Sequence, residues 1–260
     1  MIKKILRHSY LSTLGAFKRP SNSYHILNGH FIYEEPNQFS EYQFELLLND
    51  LSERYQFIKF QEAVTLISNL EVPAKPFIAF SFDDAFLECY TIIAPLLEKF
   101  HTNAAFFINP AVIDSTATFQ KKFIQKKLCL NLSKHFMSWS QIMELHQRGH
   151  LIGNHTNDHI ALKNLSKKDC ERQVYEGKKA IESRLMNKCD YFALPFGTPV
   201  YFDERGINAA VKYHKFIFTS SFNYNQYFYL SNKNIFGRRH FEGSWPLSHI
   251  NYFLSQKRVY

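Results

Sequence analysis

The chain has 260 residues, 45% hydrophobic and 21% charged, which excludes a disordered polymer and allows one large α/β domain or two small ones. The formal net charge of +8 is spread along the chain, and no RNA-binding or helix-turn-helix pattern accompanies it, so nucleic acid is not an expected partner. Anionic lipid headgroups and an acidic glycan remain candidates, while the lack of any run near the roughly 20 apolar residues of a span excludes a transmembrane helix.

The chain opens with MIKKILRHSYLSTLGAFKRP. Arg7 and His8 interrupt its apolar run, so residues 1–22 read as an N-terminal segment with helical character, not as a secretory signal. The plain expectation is an ordinary first helix or a frayed terminus. The alternative is a basic, weakly amphipathic helix touching a membrane surface. The four cysteines, Cys89, Cys129, Cys170 and Cys189, show no C-x-x-C spacing, which points to free thiols in a cytoplasmic protein, at most peripheral at the inner face of the membrane.

Tyr24–Leu27 reads as a short strand, and residues 40–54 as a helix that Ser40 can cap. A strand follows at 57–60 and a short helix near 61–70. The spacing then predicts a strand over 77–82, a helix over 87–100 and a strand over 104–108, a β-α-β unit with parallel strands. Residues 111–136 form a basic excursion able to act as a rim or lid. Ser138 or Ser140 can start the next helix and Gly149 can end it. A strand at 150–154 and a long helix from the capping-box-like Ser166–Asp169 to about 187 follow. Strands at 191–194, 215–219 and 234–238, a helix near 203–213 and a last helix after Pro246 complete the chain. This alternation predicts one α/β domain over 23–260, a closed or nearly closed barrel, with chemistry where strands end. The 26 Phe and 15 Tyr are read mainly as core rather than as a sugar-stacking surface.

Three polar features fall just after predicted strands. FSFDDAF, 80–86, sets Asp83 and Asp84 side by side at the end of an apolar run, where both are costly to desolvate. Solvent exposure explains that pair most simply; a bound cation explains it more sharply. GNHTNDH, 153–159, supplies His155 and His159 four residues apart, a spacing that lets two imidazoles reach one ion. Two histidines and one aspartate leave a coordination position open, as catalytic sites do. The second aspartate can then take a proton from activated water. Asp158 is not assigned to the metal; His25 and His30, in YHILNGH, are also candidates near the site, and His25 could line the site mouth or be an ordinary rim histidine.

The order FSFDDAF, HTNDH, LPFG resembles the polysaccharide deacetylases, the carbohydrate esterase group with the NodB homology domain, over about residues 75–220. The resemblance implies a distorted (β/α) barrel of about seven strands and metal-dependent removal of an acetyl group from an N-acetyl sugar. It matches Asp83 to the catalytic base and Asp84, His155 and His159 to the ligands of a divalent ion, zinc first, with cobalt or nickel as alternatives. It matches the Phe196 backbone N–H to the oxyanion donor, with Pro195, Phe196, Arg238 and Arg239 as substrate-binding residues. Three departures stand out. Ser81 replaces the usual Thr, Ala85 replaces the usual Gly, and Ala193 stands where the third motif has the Arg that pairs with the base. Arg238 or Arg239 could supply that charge. For the general acid, His240 is preferred over His249. The expected substrate is an N-acetylated amino sugar of a glycan or its precursor, nucleotide-linked or lipid-linked. A deformylase or other amidohydrolase on the same site, and a non-catalytic glycan-binding protein, are the alternatives.

Overall fold

The computed structural model describes residues 2–32, 41–220, 234–243 and 245–255. The expected Ser40 cap lies outside them. The described chain forms a single domain. One all-parallel sheet contains β1 (Tyr24–Gly29), β2 (Gln56–Phe57), β3 (Phe77–Asp83), β4 (Ala104–Ile108), β5 (Leu151–Asn154), β6 (Tyr191–Ala193), β7 (Phe216–Thr219), β8 (Ile235–Gly237) and β9 (Arg239–His240). Its order is β8-β7-β6-β5-β4-β3-β1-β9, with β2 beside β3.

The two ends of that path are consecutive in sequence. The Arg238 N–H donates to Thr219 O of β7 at 2.9 Å, and the Phe241 N–H donates to Asn28 O of β1 at 3.0 Å. One passage of chain, 235–241, thus bonds both edges of the sheet and nearly closes it. Counted around that ring, β8 and β9 share one position, giving the expected seven, with β2 outside.

Alternation along the strands divides inside from outside. Tyr24, Ile26, Ala79, Ala105, Phe107, Ala193, Phe218 and Phe236 share one buried cluster inside the ring. The helix α3 (Phe60–Ser68) belongs to the same cluster, and its Phe60 ring lies 5.2 Å from Phe218 and 6.1 Å from Tyr191. Phe60 N–H donates to Oδ1 of Asn103, just before β4, at 2.8 Å. Side chains of α3 therefore plug the N-terminal end of the barrel. At the opposite end the inward series turns polar: Asn28, Ser81, Asp83, His155 and Arg238 are buried there. His25 has the other parity; its ring sits against Tyr55 and Ser21, away from the barrel mouth.

Helices cover the outside: α1 (Ile2–Phe17), α2 (Glu41–Ser52), α4 (Ala94–Lys99), α5 (Ala117–Lys126), α6 (Trp139–Gln147), α7 (Lys167–Leu185), α8 (Glu204–Tyr213) and α9 (Leu247–Leu254). The helix expected over 87–100 begins instead as a π-helical turn, Cys89–Ile93, before α4. Ser138 caps α6 in a full capping box with Gln141, and Ser166 caps α7 through the Asp169 N–H. Many phenylalanines are core: Phe44, Phe60, Phe80, Phe82, Phe86, Phe106, Phe107, Phe192 and Phe218 are each fully buried.

The excursion at 111–136 carries α5 and returns as a strap bridged to Phe86 at Phe136. Lys134 in the strap forms a buried ion pair with Glu88, whose other oxygen accepts the Ile32 N–H at 3.0 Å. Lys134 also stands over the Phe31 ring, 4.7 Å from its centroid. This cation ties the chain after β1 to the strap. Lys134→Ala, which strands the Glu88 carboxylate, is expected to lower stability in urea unfolding by about 3–5 kcal/mol. Lys134→Met combined with Glu88→Gln should recover most of that loss.

Candidate metal centre

At the C-terminal mouth of the barrel, β3 ends in Asp83, and Asp84 and Ala85 turn the chain with left-handed φ values of 72° and 60°. A side chain in this region costs on the order of 1 kcal/mol. Asp83 is 2% exposed and Asp84 3%, so solvent does not explain the pair.

Each acid meets a different answer. Arg238, fully buried, grips Asp83 bidentately, Nη1 to Oδ1 at 2.7 Å and Nη2 to Oδ2 at 2.8 Å. Nη1 also donates to Ser81 Oγ at 3.3 Å, and the guanidinium lies 4.9 Å over the Phe107 ring. Burial alone would raise the Asp83 pKa; the charge of Arg238, with His155 and the paired hydrogen bonds, instead holds it well below the usual carboxylate range. The charge missing at Ala193 thus comes from the strand that closes the barrel. Arg238 was expected among the substrate-binding residues. That is corrected by its burial beneath Asp83, where both terminal nitrogens are engaged. Arg239 is also buried, at the position paired with Leu27 of β1.

Asp84 meets no such cation among the described residues. Burial pushes its pKa up, and its Oδ1 has no hydrogen-bond partner among the described residues. That oxygen lies 3.6 Å from Nε2 of His159 and 3.8 Å from Nε2 of His155. The His155 Nδ1–H donates to Ala193 O at 2.8 Å and the His159 Nδ1–H to Lys127 O at 3.2 Å. Both rings are therefore fixed with the Nε2 lone pair facing Asp84, the arrangement that backbone carbonyls impose on metal-binding histidines. Ligand atoms in a tetrahedral zinc site lie roughly 3.3–3.6 Å apart. An orphaned buried carboxylate oxygen and two lone pairs at 3.6–3.8 Å fit a divalent cation.

The histidine loop is itself held. Asn109, at the end of β4, donates to His155 O at 2.5 Å and Thr156 O at 3.2 Å, and the Asn157 N–H donates to Gln173 O of α7 at 3.1 Å. Thr156 and His159 have left-handed φ values of 63° and 53°. Asp158 pairs with Lys127 Nζ at 3.2 Å and stays out of the cluster.

Pro195–Phe196–Gly197 follows β6. Phe196, also left-handed at φ 61°, sets its ring 4.7 Å from His159. Tyr201, which sequence reasoning did not single out, continues the row 4.5 Å from Phe196 and is 41% exposed. His240 lies in β9 beside Asn28, with Nε2 2.6 Å from Oε1 of Glu242. Its ring is 5.5 Å from that of His30, which the sequence singles out beside His25 without giving it a role. The inward parity of Ile26, Asn28 and His30 along β1 was the available signal for its place. His249 lies in α9 with its Nε2 near Ser12 Oγ and His8 O, a contact between helices.

A family model described as polysaccharide deacetylase matches residues 71–214. The chain is 22% identical over 205 residues to YxkH of Bacillus subtilis, named for the same family. That match covers 78% of this chain and 64% of the relative, so the chain spans just under two thirds of that protein's length. Among solved structures, the fold is similar to the Streptococcus pyogenes deacetylase PplD in complex with acetate, at 17% identity over 90% of this chain and 99% of that one, TM-score 0.68. It is similar also to IcaB from Ammonifex degensii, at 18% identity over 92% and 100%, TM-score 0.70. Arg238, His30 and His240 lie outside the span of the family match.

Burial holds the His155 and His159 pKa values down to about 4 and that of His214, at the C-terminal end of α8, to about 3, against an ordinary 6.5. The fold then binds fewer protons than the unfolded chain below pH 6.5. Stability from these neutral rings is complete above that pH and is lost as pH falls towards 4 and then 3. Asp84 works in the opposite sense, because protonation relieves its buried charge. With three histidines against one carboxylate, thermal melts of the metal-free protein should show a lower Tm at pH 5 than at pH 7.5. Zinc should raise Tm at pH 7.5 in the native protein and not in His155→Ala.

Proposed function

The chain belongs to the polysaccharide deacetylase family, and on that premise we propose that it is a metal-dependent hydrolase removing the N-acetyl group from an amino sugar of a glycan or glycan precursor. One observation carries the reading: Asp84, His155 and His159 converge within 4.8 Å beside a second carboxylate that Arg238 keeps charged. Asp84, His155 and His159 would hold the ion. Zinc suits this nitrogen–oxygen donor set best, and cobalt or nickel would also fit. When bound, a divalent cation supplies Lewis-acid polarisation of the acetamide carbonyl and acidifies water.

The chain's own groups divide the remaining work. Asp83 Oδ2 lies 3.9 Å from His155 Nε2, so the base faces the space between the ligand side chains and can take the proton of an attacking water there. Its pairing with Arg238 holds it in one orientation and in the ionised form. The Phe196 backbone N–H is the proposed donor to the oxyanion, in a turn whose ring is braced on His159 and Tyr201. His240, held by Glu242, is the proposed donor of the proton to the leaving amine. His30, whose ring lies 5.5 Å from that of His240, is the second candidate. Substrate sugar is proposed to rest on Phe196 and the exposed ring of Tyr201.

Net charge of +8 favours a substrate bearing phosphate, nucleotide-linked or lipid-linked. All four cysteines are free, which suits the cytoplasm. The non-catalytic alternative arose from the absent Arg at position 193, and Arg238 removes that motive. Acetate release from N-acetylated sugar oligomers by zinc-loaded protein should fall about 10²–10⁴-fold in Asp83→Asn with zinc content unchanged. Formylated sugars assayed alongside separate a deformylase. His240→Gln and His30→Gln identify the proton donor: its loss lowers kcat and removes the basic limb of the pH profile, and loss of the other does not.

A further inference from the structure

Helix α1 is sewn to the domain along one side. Leu11 is buried, Ser12 Oγ meets His249 Nε2 at 3.1 Å, and a Cβ on Gly15 would stand 1.7 Å from Ser248 O, so α1 and α9 are in backbone contact. The opposite side is apolar and open. Leu6 is 64% exposed, Tyr10 57% and Phe17 85%, and with Thr13 they fall within about 60° of arc at 100° per residue. Leu6, Tyr10 and Leu14 line one shallow depression there with Arg7. Tyr10 leans edge-on against Tyr252 of α9, which fixes the stripe relative to the domain. Such a face needs an occupant.

Charge selects one. Residues 1–33 contain Lys3, Lys4, Arg7, Lys18 and Arg19 and no Asp or Glu, and α9 contains no acidic residue either. Arg7, Lys18 and Arg19 are exposed. A second copy of this chain would set one cationic face against another. An acidic, apolar-accepting surface is complementary, and a helix with Phe and Leu on one stripe and Arg and Lys beside it matches an interfacial membrane helix. We propose that the outward face of α1 docks on a bilayer containing anionic phospholipid. Phe17 and Leu6 enter the headgroup layer while Arg7, Lys18 and Arg19 meet phosphate. No helix among the described residues is long and apolar enough to cross a membrane, and the contact proposed for α1 is a peripheral one. It also brings a deacetylase to where lipid-linked glycans are found, although it stands independently of that reading.

The test is co-sedimentation of the full chain with phosphatidylcholine vesicles, with and without phosphatidylglycerol. The expected result is at least about tenfold more protein bound to the anionic vesicles, reversed by 0.5 M salt. Leu6→Ser with Phe17→Ser should cut binding about fivefold or more. Arg7→Glu with Lys18→Glu should abolish it, with melting curves and acetate release from a soluble oligosaccharide unchanged. Equal pelleting with both vesicle types, or binding that survives both double variants, overturns the proposal. So does a concentration-dependent dimer lost in Phe17→Ser without vesicle binding. Vesicle pelleting and melting curves need no substrate, so failure of the deacetylase reading would leave the proposal intact.

Discussion

The bidentate pair between Arg238 and Asp83, wholly inside the barrel, is the constraint on which the rest of the site depends. Two adjacent carboxylates at the end of a buried strand cannot both stay ionised without compensation. Arg238 neutralises one and leaves the other, Asp84, with a buried Oδ1 that has no hydrogen-bond donor among the described residues. This asymmetry separates a base from a ligand. It is also a property of the closed barrel, because Arg238 sits where the chain passes from bonding β7 to bonding β1. Closing the sheet and charging the site are thus one structural event.

Around that pair, backbone geometry does much of the positioning. Asp84, Ala85, Thr156, His159 and Phe196 all hold left-handed conformations at the mouth of the barrel. Left-handed residues other than glycine persist where surroundings over-determine them. Here the surroundings are Asn109, which ties two carbonyls of the histidine loop, and the carbonyls of Ala193 and Lys127, which orient the imidazoles. The strap from 111 to 136 is therefore part of the site: its Lys127 carbonyl sets the tautomer of His159, and its Lys134 binds the chain that follows His30.

Much of this was legible in the sequence, and the limits have physical causes. Paired acids after an apolar strand, and histidines four apart after another, carry their chemistry in side chains, so Asp83, Asp84, His155 and His159 could be named. Arg238 and Arg239 could not be separated by composition. The period-two alternation through Phe236, Arg238 and His240 would have separated them, since it puts those three on the inner face and Arg239 on the other. The same alternation turns His25 outward and His30 into the mouth. The Lys127 carbonyl left no trace, because any residue supplies one. The π-helical turn at Cys89–Ile93 was hidden too, since helical spacing does not distinguish it from the α-helix expected there.

The most direct measurement is anomalous diffraction at the zinc edge from crystals of the zinc-loaded protein. The account requires a single peak bonded at about 2.0–2.2 Å to Asp84, His155 and His159, with Asp83 still clasped by Arg238. A peak elsewhere, or one that draws Asp83 off Arg238 and into the coordination sphere, would contradict it.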